Sequence, residues 1–472
     1  MGKKIIKNGT IVTASDTYQA DVLIEDEIIA MIGKNIAIDG AEVVDASGLY
    51  VFPGGIDPHT HLEMPFGGTV SKDDFETGTM AAAFGGTTTV IDFCITRKGE
   101  TLRNPIAEWH AKSKDKAVID YSFHLMIGEM NEDVMSELPS ILSDEGITSF
   151  KVFMAYKNVF QADDGTLFQT LKTAKDLGAL VMVHAENGDV IDHLVNEALA
   201  LGYTDPIYHA LTRPPEAEGE ATERAATLTG LAESQLYVVH VSCEDAMLKI
   251  KAAREKGYDV WGETCPQYLV LDQTDLEKPN FEGAKYVWSP PLREKWNQEK
   301  LWNALKNGYL QTIGSDQCSF DFVGQKDLGK GDFTKIPNGG PMIEDRFSIL
   351  FSEGVKKGRI TLNQFVDITS TRSAKLFGLY PKKGTISVGA DADIVLFDPN
   401  VERTISAETH HMAVDYNAFE GMKVTGEPIT VLSRGEYVIK EKQFVGTLGA
   451  GNYIKRARYG KTLQNDSDIV TV

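Results

Sequence analysis

Residues 55–61 read Gly-Ile-Asp-Pro-His-Thr-His, an apolar start running into two histidines two positions apart. In a strand, residues i and i+2 share a face and lie about 6.6 Å apart along the chain, so both imidazoles can turn toward one ion. Taken alone, the spacing is common and fits a pair of structural histidines better than a metal site. Its context decides. Seven more apolar, β-type runs follow, at 88–93, 121–127, 149–154, 180–185, 236–241, 259–264 and 311–316. Helical stretches at 75–84, 132–142, 167–177, 220–232, 246–256 and 299–306 fill the gaps, and 342–356 follows the last strand. Apolar strands alternating with helices build a parallel sheet, and eight such units are the count of a (β/α)8, TIM-like barrel.

On both sides of this block the texture changes. Runs at 4–12, 20–24 and 28–32, with an acidic turn at Glu25-Asp26-Glu27, read as small antiparallel sheet, and similar β-branched runs return at 392–397 and 429–438. The expectation is an α/β chain with the barrel over 53–379 and a smaller, discontinuous β-sandwich domain formed by both chain ends, 1–52 with 380–445. Residues 446–472 then form a polar tail, read either as an arm on a neighbouring subunit or as a frayed end. No fixed-period repeat or low-complexity segment interrupts the chain, which sets aside solenoids and propellers.

Across 472 residues, 47 Lys+Arg stand against 68 Asp+Glu, a net charge of −21, which argues against a nucleic-acid binder and against an anionic membrane partner. No apolar run approaches the roughly 18 residues of a membrane span, and the opening MGKKIIKNGTIVTASD lacks the pattern of a signal peptide. Cys94, Cys243, Cys265 and Cys318 are far apart with no CxxC pair, unlike a disulfide framework or a thiolate zinc site. The expected setting is the reducing cytoplasm.

In a (β/α)8 barrel, functional groups gather where the strands end, at the C-terminal face. Four polar residues besides His59 and His61 sit at such ends: Lys151 in SFKVFMAY, His184 in LVMVHAE, His240 in LYVVHVS and Asp316 in TIGSDQ. Each has a plain structural reading, as a satisfied core histidine, a lysine snorkelling to the rim or an aspartate capping a turn. Together they place polar groups from five strands at one mouth. The remaining six histidines form no comparable set.

DPHTH, the lysine, the two later histidines and the aspartate, in this order, resemble the amidohydrolase superfamily. The stretch HLEMPFGGTVSKDDFETGTMAAAFGGTTTVIDF resembles more narrowly its dihydropyrimidinase and D-hydantoinase branch, in the bacterial, bacillus type. The likeness covers nearly the whole chain. It implies two divalent metal ions per subunit, zinc with manganese or cobalt as alternatives. His59, His61 and Asp316 would bind the first ion and His184 and His240 the second. Lys151 would bridge them as an N6-carboxylysine, a carbamate made with carbon dioxide. Such a carbamate explains a lysine on an apolar strand, because an anion between two cations is compensated where a buried ammonium is not. Two divalent ions against carbamate, aspartate and a bridging hydroxide leave about +1 in the cavity, which favours a developing oxyanion.

By the same resemblance Asp316 also shuttles the proton to the departing ring nitrogen, Tyr156 donates its hydroxyl to the oxyanion, and the main chains of Ser289 and Asn338 hold the ureide edge of the substrate. Relatives that open dihydroorotate carry an arginine directly after HxH, whereas Leu62, Glu63 and Met64 follow here. Met64, Phe66, Phe153 and Phe160 are expected to form an apolar wall around the substituent at the ring's fifth position, with rim packing as their plain alternative. The resemblance thus implies a metal-dependent cyclic amidase that opens 5-substituted hydantoins, with D selectivity, and dihydropyrimidines to N-carbamoyl amino acids. Its partner is a small cyclic ureide or diamide, and its assembly a homotetramer. An allantoinase-like ureide hydrolase is the nearest alternative. A non-catalytic scaffold of the same family is the remote one, since scaffolds of that kind lack metal ligands and all six positions stand here.

Overall fold

Eight short apolar runs become eight parallel strands because each is enclosed on both faces, which suits near-continuous apolar sequence. In the computed structural model, which describes residues 2–460, the strands are Gly55–Thr60, Thr87–Cys94, Asp120–Met126, Ser149–Phe153, Leu180–His184, Gln235–Val238, Asp259–Thr264 and Thr312–Ile313. Each pairs in parallel with its neighbours in chain order. The ring closes just past the strand ends, where the Asp316 N–H donates to the His59 carbonyl (2.9 Å) and the His61 N–H to the Gln317 carbonyl (2.8 Å). Those two hydrogen bonds set the first histidine pair against the aspartate across the seam.

Helices wrap the barrel, and their starts follow side-chain caps. Asp74 caps Phe75–Phe84 in a capping box with Thr77, Asn131 caps Glu132–Glu145, Asp163 caps Asp164–Leu177 and Asn187 caps Gly188–Ala200. The stretch expected as one helix over 342–356 differs: it is helical at Arg346–Ile349 and continues as a π-helix over Leu350–Lys356. Its first residues are instead held by the barrel, since the Gln317 side-chain oxygen accepts from the Met342 and Ile343 N–H groups.

The smaller domain is two sheets packed face to face. One has four strands, Ile28–Gly33, Asp21–Glu25, Lys3–Lys7 and Glu42–Asp45 in spatial order; the other has seven and joins Thr10–Val12 and Tyr50–Pro53 to Ile394–Thr404 and Lys423–Ser433 from the far end of the chain. The period of two is plain in the strand that begins at Ile394. Ile394 and Leu396 point into the sandwich with Ile6, Val22 and Ile24, while Val395 and Phe397 point to the barrel with Phe351 and Phe365. One strand therefore serves two cores.

Residues 451–459 cross the barrel floor of their own chain, bonding main chain to main chain with Ala117, Tyr121, Gly146, Gly378 and Gly178 in turn. The end of the expected tail, 461–472, lies outside the described residues. All four cysteines are buried and unpaired. Among the described residues no helix is long and apolar enough to cross a membrane.

Candidate metal centre and substrate cavity

The ends of the strands leave the six candidate ligands around one cavity, and backbone conformation helps to aim them. His240 and Asp316 do not lie in their strands as expected from 236–241 and 311–316 but just beyond them, with φ of 41° and 55°. Tyr156 follows at φ 65°. Non-glycine residues rarely adopt this left-handed region, and such strain gathers where a side chain must point in one direction.

Asp316 Oδ1 stands 3.2 Å from Nε2 of both His59 and His61. Ligand atoms of these three residues all lie within 4.8 Å of one another, a spacing that one metal ion can share. The His184 and His240 rings meet with centroids 4.6 Å apart, and His240 stacks at 5.5 Å on His59. Nε2 of His59, the nitrogen that faces Asp316, is buried without any hydrogen-bond partner, a state that an ion shared with Asp316 would relieve. Imidazole and carboxylate donors of this kind suit a divalent transition metal. The donor set therefore fits the metal centre.

Two glutamates that the strand-end reading did not single out back these imidazoles. His59 donates from Nδ1 to Glu263 Oε1 at 2.6 Å, which leaves Nε2 facing Asp316. Glu263 Oε1 also accepts the His240 N–H (3.1 Å), and its other oxygen accepts from Tyr237 (2.8 Å). His184 donates from Nε2 to Glu186 at 2.7 Å. A carboxylate behind a ligating histidine fixes its tautomer and raises its basicity. The signal in the sequence was Glu263 itself, an acidic residue one position from the end of the seventh strand run. Asp92 does comparable work for the first strand, accepting from the Thr60 hydroxyl and the Leu62 N–H, both at 2.8 Å.

Burial sets the protonation states that metal binding needs. It pulls His61 down to about 4, against the opposing pull of Asp316, and takes His240 well below its usual value, so both rings are neutral near pH 7. Burial tends to raise Asp316, but the neighbouring His59 and the His61 contact outweigh it and hold the carboxyl below the usual range. Lys151, 1% exposed, has Nζ 5.0 Å from the ring centroids of Phe93 and Phe153; burial lowers its pKa to about 8 despite the charges of Asp316 and Glu263. The amine therefore loses its proton more readily than an exposed lysine does.

All thirteen residues picked from sequence line this one cavity: the six candidate ligands, then Tyr156, Ser289 and Asn338, then Met64, Phe66, Phe153 and Phe160. Phe66, Tyr156, Phe160 and Asn338 also border a second cavity beside it. Phe66, Phe153, Tyr156 and Phe160 form an aromatic cluster with centroid distances of 5.3 to 6.1 Å. Tyr156 is pushed up to about 12, chiefly by burial and also by Glu186, against the hydrogen bonds of Ser289 and Asn338. It therefore stays a hydroxyl donor. Ile95, Trp288, Cys318 and Gly339 complete the lining and were not anticipated; their apolar or glycine character is that of any barrel rim. Lys151 is the only cationic side chain in the lining among the described residues.

Comparison with known proteins agrees with this geometry. The model of the amidohydrolase family matches residues 50–438. The D-hydantoinase of Geobacillus stearothermophilus is 76% identical over 467 residues, 99% of each chain. The crystal structure of dihydropyrimidinase from Brevibacillus agri superposes with a TM-score of 0.97 at 70% identity, covering 97% of this chain and 100% of that one. A crystal structure of D-hydantoinase gives 0.97 at 77% identity, with the same coverage. With metal-ligating groups at the strand ends and relatives of this kind along its whole length, the chain belongs to the amidohydrolase family.

Proposed function

We propose that the chain is a cyclic amide hydrolase with a divalent metal centre, opening the ring amide of hydantoins and dihydropyrimidines to give N-carbamoyl amino acids. The observation that carries this reading is the convergence of metal-ligating side chains from five strand ends in one aromatic-walled cavity. His59, His61 and Asp316 would hold one ion, zinc in this reading, and His184 and His240 a second, with Lys151, as a carbamate, serving both. When bound, the ions supply a water that is ionised near neutral pH and polarise the ring carbonyl.

The chain's own residues do the rest. Asp316 accepts the proton of the attacking water and returns it to the ring nitrogen as the carbon–nitrogen bond breaks, because an amide nitrogen leaves poorly unless protonated. The Tyr156 hydroxyl donates to the oxygen that gains charge. The main chains of Ser289 and Asn338 bind the ureide edge, and Met64, Phe66, Phe153 and Phe160 face the exocyclic group. With Lys151 as a carbamate, the described lining offers no cationic side chain to a ring bearing its own carboxylate, which supports hydantoins and dihydrouracil over dihydroorotate. D selectivity, a homotetramer, a cytoplasmic setting and division at residues 52, 379 and 445 belong to the same proposal.

The test is metal-quantified protein assayed on hydantoin, dihydrouracil, allantoin and dihydroorotate, with chiral analysis of products. Hydantoin and dihydrouracil should be the good substrates; a preference for allantoin would move the chain to the other ureide activity. Lys151→Ala should lose metal and turnover together, and full occupancy in that variant would refute the bridge. Tyr156→Phe should keep its metal and lose about 100-fold in kcat.

A further inference from the structure

Lys326 opens the short turn Lys326–Gly329, and its side chain is fully enclosed. Among the described residues its ammonium has no carboxylate at ion-pair distance. Its two hydrogen bonds go to main-chain carbonyls, Val287 at 2.9 Å and Pro337 at 3.0 Å. A buried ammonium without a counter-ion is costly to maintain, and burial lowers this one to about 7. A lysine kept on such terms marks a place where its donors matter.

The two carbonyls belong to the segments that carry the candidate ureide-binding main chains: Val287 is two residues before Ser289, and Pro337 directly precedes Asn338. The same segments meet twice more. The Gly339 N–H donates to the Val287 carbonyl at 3.0 Å, and the Asn338 side-chain amide donates to the Ser289 hydroxyl at 3.1 Å. Gly339 has φ 142° and lies so close to the Cys318 carbonyl that any side chain there would collide with it. The second segment is thus wedged between the first and the end of the eighth strand, with Lys326 fastening it from behind. Lys326 itself does not line the cavity.

We propose that Lys326 is a positioning residue, which fixes the spacing between the Ser289 and Asn338 main chains through the Val287 and Pro337 carbonyls and so sets the affinity for the ureide edge of the ring. The inference rests on the reading that those main chains hold the ureide. It assigns to Lys326 a role in binding and none in the chemical step.

The test is steady-state kinetics of the metal-loaded wild type, Lys326→Met and Lys326→Gln on hydantoin and on 1-methylhydantoin, which lacks the N–H of the ureide nitrogen that is not cleaved. In wild type the methyl group should raise KM. Lys326→Met, which keeps the length but loses both donors, should raise KM for hydantoin about tenfold and narrow the difference between the two substrates. Its kcat should stay within about threefold and its metal content unchanged. Lys326→Gln, with an amide donor, should fall between. Variants that lose thermal stability or kcat while KM and substrate preference stay at wild-type values would make Lys326 merely structural and overturn the inference. A wild type indifferent to the methyl group would instead overturn the ureide reading on which it rests.

Discussion

His59 is where a pattern in sequence becomes a directed candidate ligand. The spacing of HxH puts two imidazoles on one face but leaves open which nitrogen of each looks inward, and here Glu263 decides it for His59 by taking Nδ1–H. Glu263 was not chosen from sequence because strand periodicity says that an acid is buried, not what it touches across the barrel. The candidate ligands were legible for the opposite reason: imidazoles, a lysine and a carboxylate at strand ends stand out against apolar runs. Glu263 also holds the His240 N–H, so one carboxylate steadies a candidate ligand of each ion. Glu263→Gln keeps the shape and the acceptor but removes the charge. Second-layer changes of this kind cost about 10 to 100-fold in metal affinity. We expect a loss in that range by equilibrium dialysis against a competing chelator, with the ring-opening rate recovering at saturating metal; unchanged affinity would remove Glu263 from the metal's support.

At the scale of elements, the strand ends carry the candidate ligands and also mark where sequence reading stops. Six runs of the barrel are found close to their expected bounds, but the sixth and eighth strands end early, at Val238 and Ile313, because His240 and Asp316 leave the extended conformation. Apolar runs report burial and length; they do not report a positive φ. The helix starts were legible only roughly, since caps such as Asp163 lie a turn before the first apolar residue of the pattern. The eighth strand shows what such an end demands of its neighbours. Gly314 follows it, and a Cβ there would sit 2.6 Å from Glu263 Oε2 and 2.8 Å from the His59 Cβ. Neither neighbour can yield without moving the His59 ring. Gly314→Ala should therefore act on the metal centre rather than on the fold at large: strain of about 1–3 kcal/mol spread through Glu263 and His59, seen as a several-fold drop in bound metal with a near-native circular dichroism spectrum. Normal metal content would show that the strand end can slide.

The whole molecule is fastened at the end of the barrel away from the cavity. Lys383 Nζ, 1% exposed, reaches Asp120 and Asp393 at 2.7 Å and Asp391 at 3.0 Å. Asp120 starts the third barrel strand, Asp391 and Asp393 lead into the sandwich, and Arg434 adds ion pairs to Asp120 (3.0 Å) and Glu27 (2.7 Å). The Asn452 N–H donates to Asp120 at 2.8 Å, so the crossing segment of the tail joins the same knot. The three aspartates have the spacing of a metal site, but the lysine already stands among them. None of this was legible, because the partners are scattered from residue 27 to 452 and no local pattern links them. Removing the lysine leaves three carboxylates buried, with the Arg434 guanidinium on Asp120 and the exposed Lys382 3.9 Å from Asp391 as the remaining cations, and breaking a buried pair in this way costs about 3–5 kcal/mol. Lys383→Met should therefore lower the thermal unfolding midpoint and hasten irreversible loss of activity on heating, while kcat and KM per folded molecule at 25 °C stay near wild type, since the strand ends bearing the ligands lie at the opposite face. The double variant Lys383→Met, Asp391→Asn should recover part of the lost stability by removing one uncompensated charge. A single variant as heat-resistant as wild type would show that the knot contributes nothing net; a cold, folded variant with lost turnover would show that the floor of the barrel reaches the cavity after all.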